Sequence, residues 1–174
     1  RLIETWLADQ ERAFDLFAKF PAEETGFENP AAGMIVNFAA YVRGLRDESL
    51  GVGLPDGWVP ATKYILVNDE GDYGLFNLRH RLTDFLRNGP GHIGYGIARE
   101  YRGHGYATAG LKLTLAKARE LGIEEAYLSV HKTNPASLAV QQHCGARIDH
   151  EDKTEYYTRI ATCTESDGLY ARGD

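Results

Sequence analysis

Arg102-Gly103-His104-Gly105-Tyr106-Ala107 decides the reading of this chain, because it joins an extended run to a helical one. Upstream, His92-Ile93-Gly94-Tyr95-Gly96-Ile97 reads as a short strand carrying two glycines. Downstream, Ala107, Leu111, Leu115 and Ala118 recur at helical spacing until Leu121-Gly122, where glycine suits a helix end. A glycine-rich turn that opens a helix leaves backbone N–H groups pointing outward at the positive end of the helix dipole. Phosphate is the commonest biological anion to fill such a site. The dipole supplies only about 0.3–1 kcal/mol, so converging N–H groups and Arg102 must do most of the holding.

Phosphate-binding turns differ in the residues that come after their glycines. A nucleoside-triphosphate loop needs a lysine beside its last glycine, and the next lysine here is Lys112, well inside the helix. A dinucleotide turn needs glycine or alanine where this chain has Thr108. It also expects an acid ending the next strand, whereas Glu124 and Glu125 precede theirs. A nucleotide-binding oxidoreductase fragment therefore stays only as a weak rival.

Ile97, Arg102, Gly103, Gly105 and Ala107 together resemble the pyrophosphate loop of the GNAT superfamily of N-acetyltransferases, Arg/Gln-x-x-Gly-x-Gly/Ala after a strand with an aliphatic end. The likeness continues in order. A second strand, Ala126–Val130, precedes Asn134-Pro135-Ala136-Ser137, which resembles the family's Asn-x-x-Ser element, and a helix from Leu138 to His143 leads to Gly145. Trp58–Thr62, Asn77–His80 and Gly91–Gly96 are similar to a subgroup of uncharacterised predicted acetyltransferases. The resemblance implies an α+β fold with a mixed α/β sheet, mostly antiparallel and splayed where the pantetheine arm lies like an added strand. It implies acetyl-CoA as cosubstrate. The positions it assigns to cofactor binding are Tyr95, Gly96, Ile97, Arg102, Gly103, His104, Gly105, Tyr106, Ala107, Thr108, Asn134 and Ser137.

The rest of the chain sets bounds. Its 174 residues are read as one domain, with the cofactor core at about 92–148 and acceptor-side segments at about 1–60. A net charge of −6 argues against a nucleic-acid partner and suits a cationic acceptor as well as plain solubility. No apolar run is long enough to span a membrane. The N-terminus has no signal-peptide pattern, and Cys144 and Cys163 read as reduced thiols, so a cytoplasmic location is expected. Histidines 80, 92, 104, 131, 143 and 150 form no His-x-x-x-His pair, and no metal site is expected.

Patterning predicts an opening helix with Ile3, Leu7, Phe14 and Phe17 on one face, ending at Pro21. A second helix follows Pro30, with Ile35, Phe38, Ala39, Val42 and Leu45 in phase. Lys63–Val67 and Tyr73–Leu78 flank Asp69-Glu70-Gly71-Asp72 as a hairpin, and 79–91 is a loop with one helical turn near Leu82, Phe85 and Leu86. Strands near 147–150 and 154–160 close the domain, with a frayed tail at 161–174. Gly94 and Gly96 suit either a close backbone approach or a bulge.

Acetyl transfer from a thioester to an amine needs a neutral amine, a stabilised carbonyl oxygen and a protonated leaving thiolate. Deprotonating a lysine-like amine at neutral pH costs about 4–5 kcal/mol, while the thiol needs only about 2 kcal/mol of help. A backbone N–H near Ile97 can serve the oxygen. The family often has a tyrosine acid where this chain has Gln141, and a glutamate base where it has Ser129; neither replacement moves a proton. Candidate bases are His131, His92, Tyr95 and Glu100, directly or through a water. His131 stands two residues beyond Ser129 and so shares its side of the strand.

The function read from the sequence is an N-acetyltransferase acting by direct transfer in a ternary complex, on a small-molecule amine or a peptide amine. It would work as a monomer or homodimer, since a C-terminal edge strand could pair with a second copy. The alternative is an acyl-CoA-binding module without turnover.

Overall fold

The computed structural model describes residues 1–24, 27–29 and 37–162. In chain order, β1 (Leu2–Glu4) leads through a 3-10 turn to α1 (Gln10–Ala18). A short pair comes next, β2 (Glu23–Glu24) and β3 (Phe27–Glu28), then α2 (Phe38–Leu50). After these come β4 (Ala61–Val67), β5 (Asp72–Arg79), the single turn α3 (Asp84–Arg87) and β6 (Ile93–Ile97). The chain continues with α4 (Tyr106–Glu120), β7 (Glu125–His131), α5 (Pro135–His143), β8 (Arg147–Glu151) and β9 (Glu155–Ala161).

The strands form an antiparallel sheet ordered β1-β4-β5-β6 and a second one ordered β7-β9-β8. Alternation along each strand separates two cores. Ile65, Val67 and Leu75 face α1 and α2, where Ala13, Leu16, Phe17, Phe38 and Val42 bury against them. Leu66, Phe76, Leu78, Ile93 and Ile97 face α4, which also covers Ala126, Leu128 and Ile160 of the second sheet. One helix therefore spans both sheets on one side.

Among the described residues the sheets touch near a single point. The His92 N–H donates to the Tyr127 carbonyl at 2.7 Å, beside a bridge from Gly91 to Leu128. Gly91 has φ 67°, and a Cβ there would strike the Tyr127 carbonyl oxygen, so only glycine permits this approach. Past that point β6 pairs with β5 and β7 with β9, and the strands part.

The N-terminus departs from the expected opening helix. Leu2–Glu4 is a strand, with Ile3 opposite Ile65, and α1 starts only at Gln10, where the Asp9 side chain accepts from the Arg12 N–H at 3.0 Å. Ladder bonds to the edge of β4 and this cap win over the helical spacing of Ile3 and Leu7, and Leu7 is exposed. Pro30, Ile35, Cys163 and most of the 161–174 tail lie outside the described residues. The hairpin, the helical turn at Leu86 and the last two strands stand as predicted.

Candidate active site

The turn into α4 is built to be open. Gly103 and Gly105 have φ 79° and 82°, and a Cβ on either would meet nothing within 4 Å. Arg102 N–H bonds back to Arg99 and Ala109 N–H to Gly105, but the N–H groups from Gly103 to Thr108 find no acceptor among the described residues. No side chain caps the helix. His104 folds back instead, its Nδ1 2.9 Å from the Arg102 carbonyl, which puts a proton on that nitrogen. Tyr106 stacks on Tyr73 with ring centroids 4.0 Å apart, and the Thr108 carbonyl accepts from the Cys144 thiol. An unmet row of donors at a helix start fits a pyrophosphate.

Arg102 holds the turn against both sheet and hairpin. Its Nε donates to the Ile97 carbonyl at 3.0 Å, and its Nη2 lies 2.6 Å from Oε2 of Glu24. Arg99 adds a bond of 3.1 Å to the same carboxylate. Arg102 first, and Arg99 with it, hold the Glu24 carboxyl down at about 2. The anion on Arg102 in this structure is thus a carboxylate from the β2–β3 pair.

The gap between β6 and β7 has two distinct sides. The His92 carbonyl accepts from Arg79 N–H and Ala98 N–H donates to Tyr73, so even-numbered residues of β6 turn their amides to β5. Tyr95 and Ile97 therefore turn theirs to the gap. The Tyr95 side chain goes to the α4 side, where it stacks on Phe76 and its phenol lies 3.0 Å from Ser137 Oγ. Burial pushes that phenol up to about 12. Asn134 caps α5: its side-chain oxygen accepts from the Ser137 N–H at 3.1 Å, with Pro135 in the first turn. Gln141 is buried and bonded to the Thr158 hydroxyl at 2.6 Å.

The opposite side carries the histidines. Tyr127, Ser129 and His131 alternate with the buried Ala126, Leu128 and Val130. His131 Nε2 lies 3.0 Å from Glu155 Oε1, directly across the ladder. His92 is buried and its Nδ1 accepts the Tyr127 N–H at 3.0 Å; burial, then the charges of Arg87, Arg79 and Arg159, push it down to about 4. Its neutral ring pins the two sheets together. Glu100 stands in the turn after β6, bonded at 2.6 Å to Lys19, which caps the C-terminal end of α1 and lowers the Glu100 carboxyl. Among the described residues, two buried oxygens have no partner, Asn77 Oδ1 and Tyr41 Oη, and each such atom costs about 1–3 kcal/mol. No group of three or more metal-ligating side chains occurs among the described residues.

An open glycine turn at a helix start, beside two strands that part, is the arrangement that the acetyltransferase (GNAT) domain family matches over residues 56–147. The chain belongs to the GNAT acetyltransferase family. Its fold is also that of solved members. Campylobacter jejuni N-acetyltransferase PseH superposes with a TM-score of 0.64 at 14% identity, over 94% of this chain and 98% of that one. Mycobacterium smegmatis RimJ, solved with CoA-disulfide, gives 0.65 at 19% identity, over 92% and 80%. A Vibrio cholerae spermidine N-acetyltransferase, SpeG, gives 0.63 at 13%, over 93% and 95%. No curated protein sequence matches this chain.

As a GNAT acetyltransferase, the chain has its sequence-predicted residues divided between three places. Gly103–Thr108 line the open turn; Tyr95, Ser137 and the amide of Ile97 meet at the gap; His131 and His92 lie on its other side, His92 at the point of contact. Glu100 is tied to α1 instead. Sequence reading missed the Glu24–Arg102 pair, the reach of Tyr95 to α5, and the bare oxygen of Asn77. Only the parity of Asn77 with Leu75, a core residue of the same strand, could have drawn attention to it.

Proposed function

We propose that this GNAT domain moves the acetyl group of acetyl-CoA to a primary amine by direct transfer in a ternary complex. The observation that carries the reading is the placement of proton-handling groups on opposite sides of one gap, with Tyr95 toward the helices and His131 toward the acceptor face. The N–H groups from Gly103 to Thr108 would hold the pyrophosphate, and the gap-facing amides of Tyr95 and Ile97 the pantetheine arm. Acetyl-CoA supplies an acetyl group already activated as a thioester.

His131 takes the amine proton, directly or through a water. With Nε2–H donated to Glu155, Nδ1 is the accepting atom, and the carboxylate stabilises the charge the ring acquires. On the other side Tyr95 keeps its proton at neutral pH and gives it to the departing sulfur, replacing the phenol that Gln141 does not provide. The Ile97 N–H, at the end of β6, stabilises the carbonyl oxygen. Attack and departure thus proceed from different sides of the acyl carbon.

The acceptor is a small amine or a peptide amine. The name of the SpeG neighbour makes spermidine the first to try. Of the acids available to attract a cation, Glu24 is neutralised by Arg102 and Glu48 by Lys63, so the class of acceptor rests on hydrogen bonding more than on net charge. A cytoplasmic location fits the free thiol of Cys144.

Thermal unfolding with CoA, acetyl-CoA, NAD(P)H and ATP tests the reading. Ligand at 100 times its dissociation constant adds about 2.7 kcal/mol, and that rise is expected with CoA and acetyl-CoA alone. No shift with either overturns the proposal. Binding without acetyl transfer to any amine would make the chain an acyl-CoA-binding module.

A further inference from the structure

Asn77 sits in β5 on the face covered by α1 and α2, directly opposite Lys63 of β4 on one side and Gly94 of β6 on the other. Its Oδ1 is buried without a hydrogen-bond partner. Native folds seldom leave a buried acceptor unmet, and each exception calls for a ligand or a function. Lys63, the nearest cation by register, is committed to both carboxylate oxygens of Glu48 at 2.6 and 2.7 Å. On the other side the chain is bare, since a Cβ at Gly94 would meet nothing within 4 Å.

β6 lies one strand spacing from β5, about 4.8 Å, and its far edge borders the gap that the thioester would occupy. A second buried oxygen without a partner, Tyr41 Oη, comes from α2, the helix that also carries Glu48 and covers this face. Asn77 Oδ1 thus stands beside the open backbone at Gly94, on the strand that edges the gap.

We infer that Asn77 receives the acceptor, its Oδ1 taking an N–H hydrogen bond from a primary amine lying over Gly94, an assignment that rests on the acetyltransfer reading above. An amide oxygen accepts and cannot donate, so it complements an N–H group and turns away carboxylates and phosphates. Being uncharged, it does not favour the ammonium form as a carboxylate would, and the nitrogen keeps its lone pair for the acyl carbon. The N–C bond then forms as the C–S bond breaks, the amine proton leaves to the base, and the sulfur takes a proton from the acid.

Asn77→Val removes the acceptor oxygen, and Asn77→Thr keeps one in the same shape. Free-thiol release is followed with acetyl-CoA and spermidine, putrescine or lysine, alongside melting temperature and calorimetric CoA affinity. For any of these amines that the native chain acetylates, the Val variant should lose at least about tenfold in kcat/KM. Thr should restore part of that, and the KM for acetyl-CoA should move less than about twofold. The Val variant should also melt about 2–4 °C above the native chain, because the unmet oxygen is gone. A structural Asn77 would give the reverse, a lower melting temperature. Lower melting, or native kcat/KM in the Val variant, overturns the inference. If none of the three amines reacts, the same kcat/KM comparison is made with the first primary amine or peptide N-terminus that does, and a lower-melting Val variant overturns the inference whichever amine is used. Native protein that fails to bind CoA strikes at the acetyltransfer reading instead, whichever way Asn77→Val melts.

Discussion

Tyr95 of β6 and Ser137 of α5 meet across the gap between the two sheets, phenol oxygen to Oγ at 3.0 Å. The phenol thereby stands beside α5, the helix where the family often carries its own tyrosine, with Gln141 occupying that position and bonded to Thr158. A phenol carried on a strand thus lies against the helix that has none at Gln141.

Removing that phenol should slow transfer without loosening the cofactor. In Tyr95→Phe the thiolate must leave unaided, a handicap of about 2 kcal/mol, or roughly 10- to 30-fold in kcat. CoA affinity should stay within about threefold, since the gap-facing amide of Tyr95 remains. An unchanged kcat, measured by free-thiol release, would remove Tyr95 from the acid role.

His131→Ala should cost more. General bases contribute about 10²- to 10⁴-fold, and the amine proton is the harder of the two to move. Glu155→Gln should give a smaller loss in the same direction, because the ring keeps a hydrogen-bond partner but loses the opposing charge. Equal turnover in His131→Ala and the native chain would assign the base elsewhere.

Stability should fall in acid in two separable windows. The His92 pKa is depressed in the fold to about 4, below the ordinary value near 6.5. Protonation therefore favours unfolding, and the stability present above about pH 6.5 drains away as pH falls toward 4. Glu24 is likewise depressed, to about 2, so its contribution holds above about pH 4.3 and is lost from there toward pH 2. Melting curves of His92→Gln should be flatter in the upper window and those of Glu24→Gln in the lower. Parallel profiles for variant and native chain would contradict the assignment.

Two glycines should respond oppositely to what helix propensity suggests. Gly110 lies inside α4, where alanine ordinarily gains about 1 kcal/mol, yet a Cβ there would collide with the Phe76 ring. Overpacking of this kind costs about 1–3 kcal/mol, so Gly110→Ala should melt lower, not higher. Gly105→Ala meets no atom but must hold φ 82°, and its methyl would stand in the open turn. It should cut CoA affinity by about tenfold or more in calorimetry.

The fold was legible wherever local chemistry repeats. The glycine turn, the helical spacing from Ala107 to Ala118 and the alternation of Ala126–Val130 each report their own element, because side-chain period and backbone conformation are coupled within a few residues. The exception is instructive. Ile3 and Leu7 fit a helical stripe, but the edge of β4 offers Leu2–Glu4 a ladder, and an edge some 60 residues away leaves no mark on local spacing.

The sequence by itself determined the family, the open glycine turn and the identity of the residues that could move protons, since glycine's freedom and side-chain ionisation are properties of single positions. Tertiary structure alone decided what those residues touch. It buried His92 against three arginines and made it a neutral pin, joined Arg102 to Glu24 across 78 positions, and sent Tyr95 to Ser137. It also left Asn77 Oδ1 unmet beside the bare backbone of Gly94. Burial, charge pairing and an unmet hydrogen bond are relations between distant parts of the chain, and they exist only once the strands have paired and the sheets have parted.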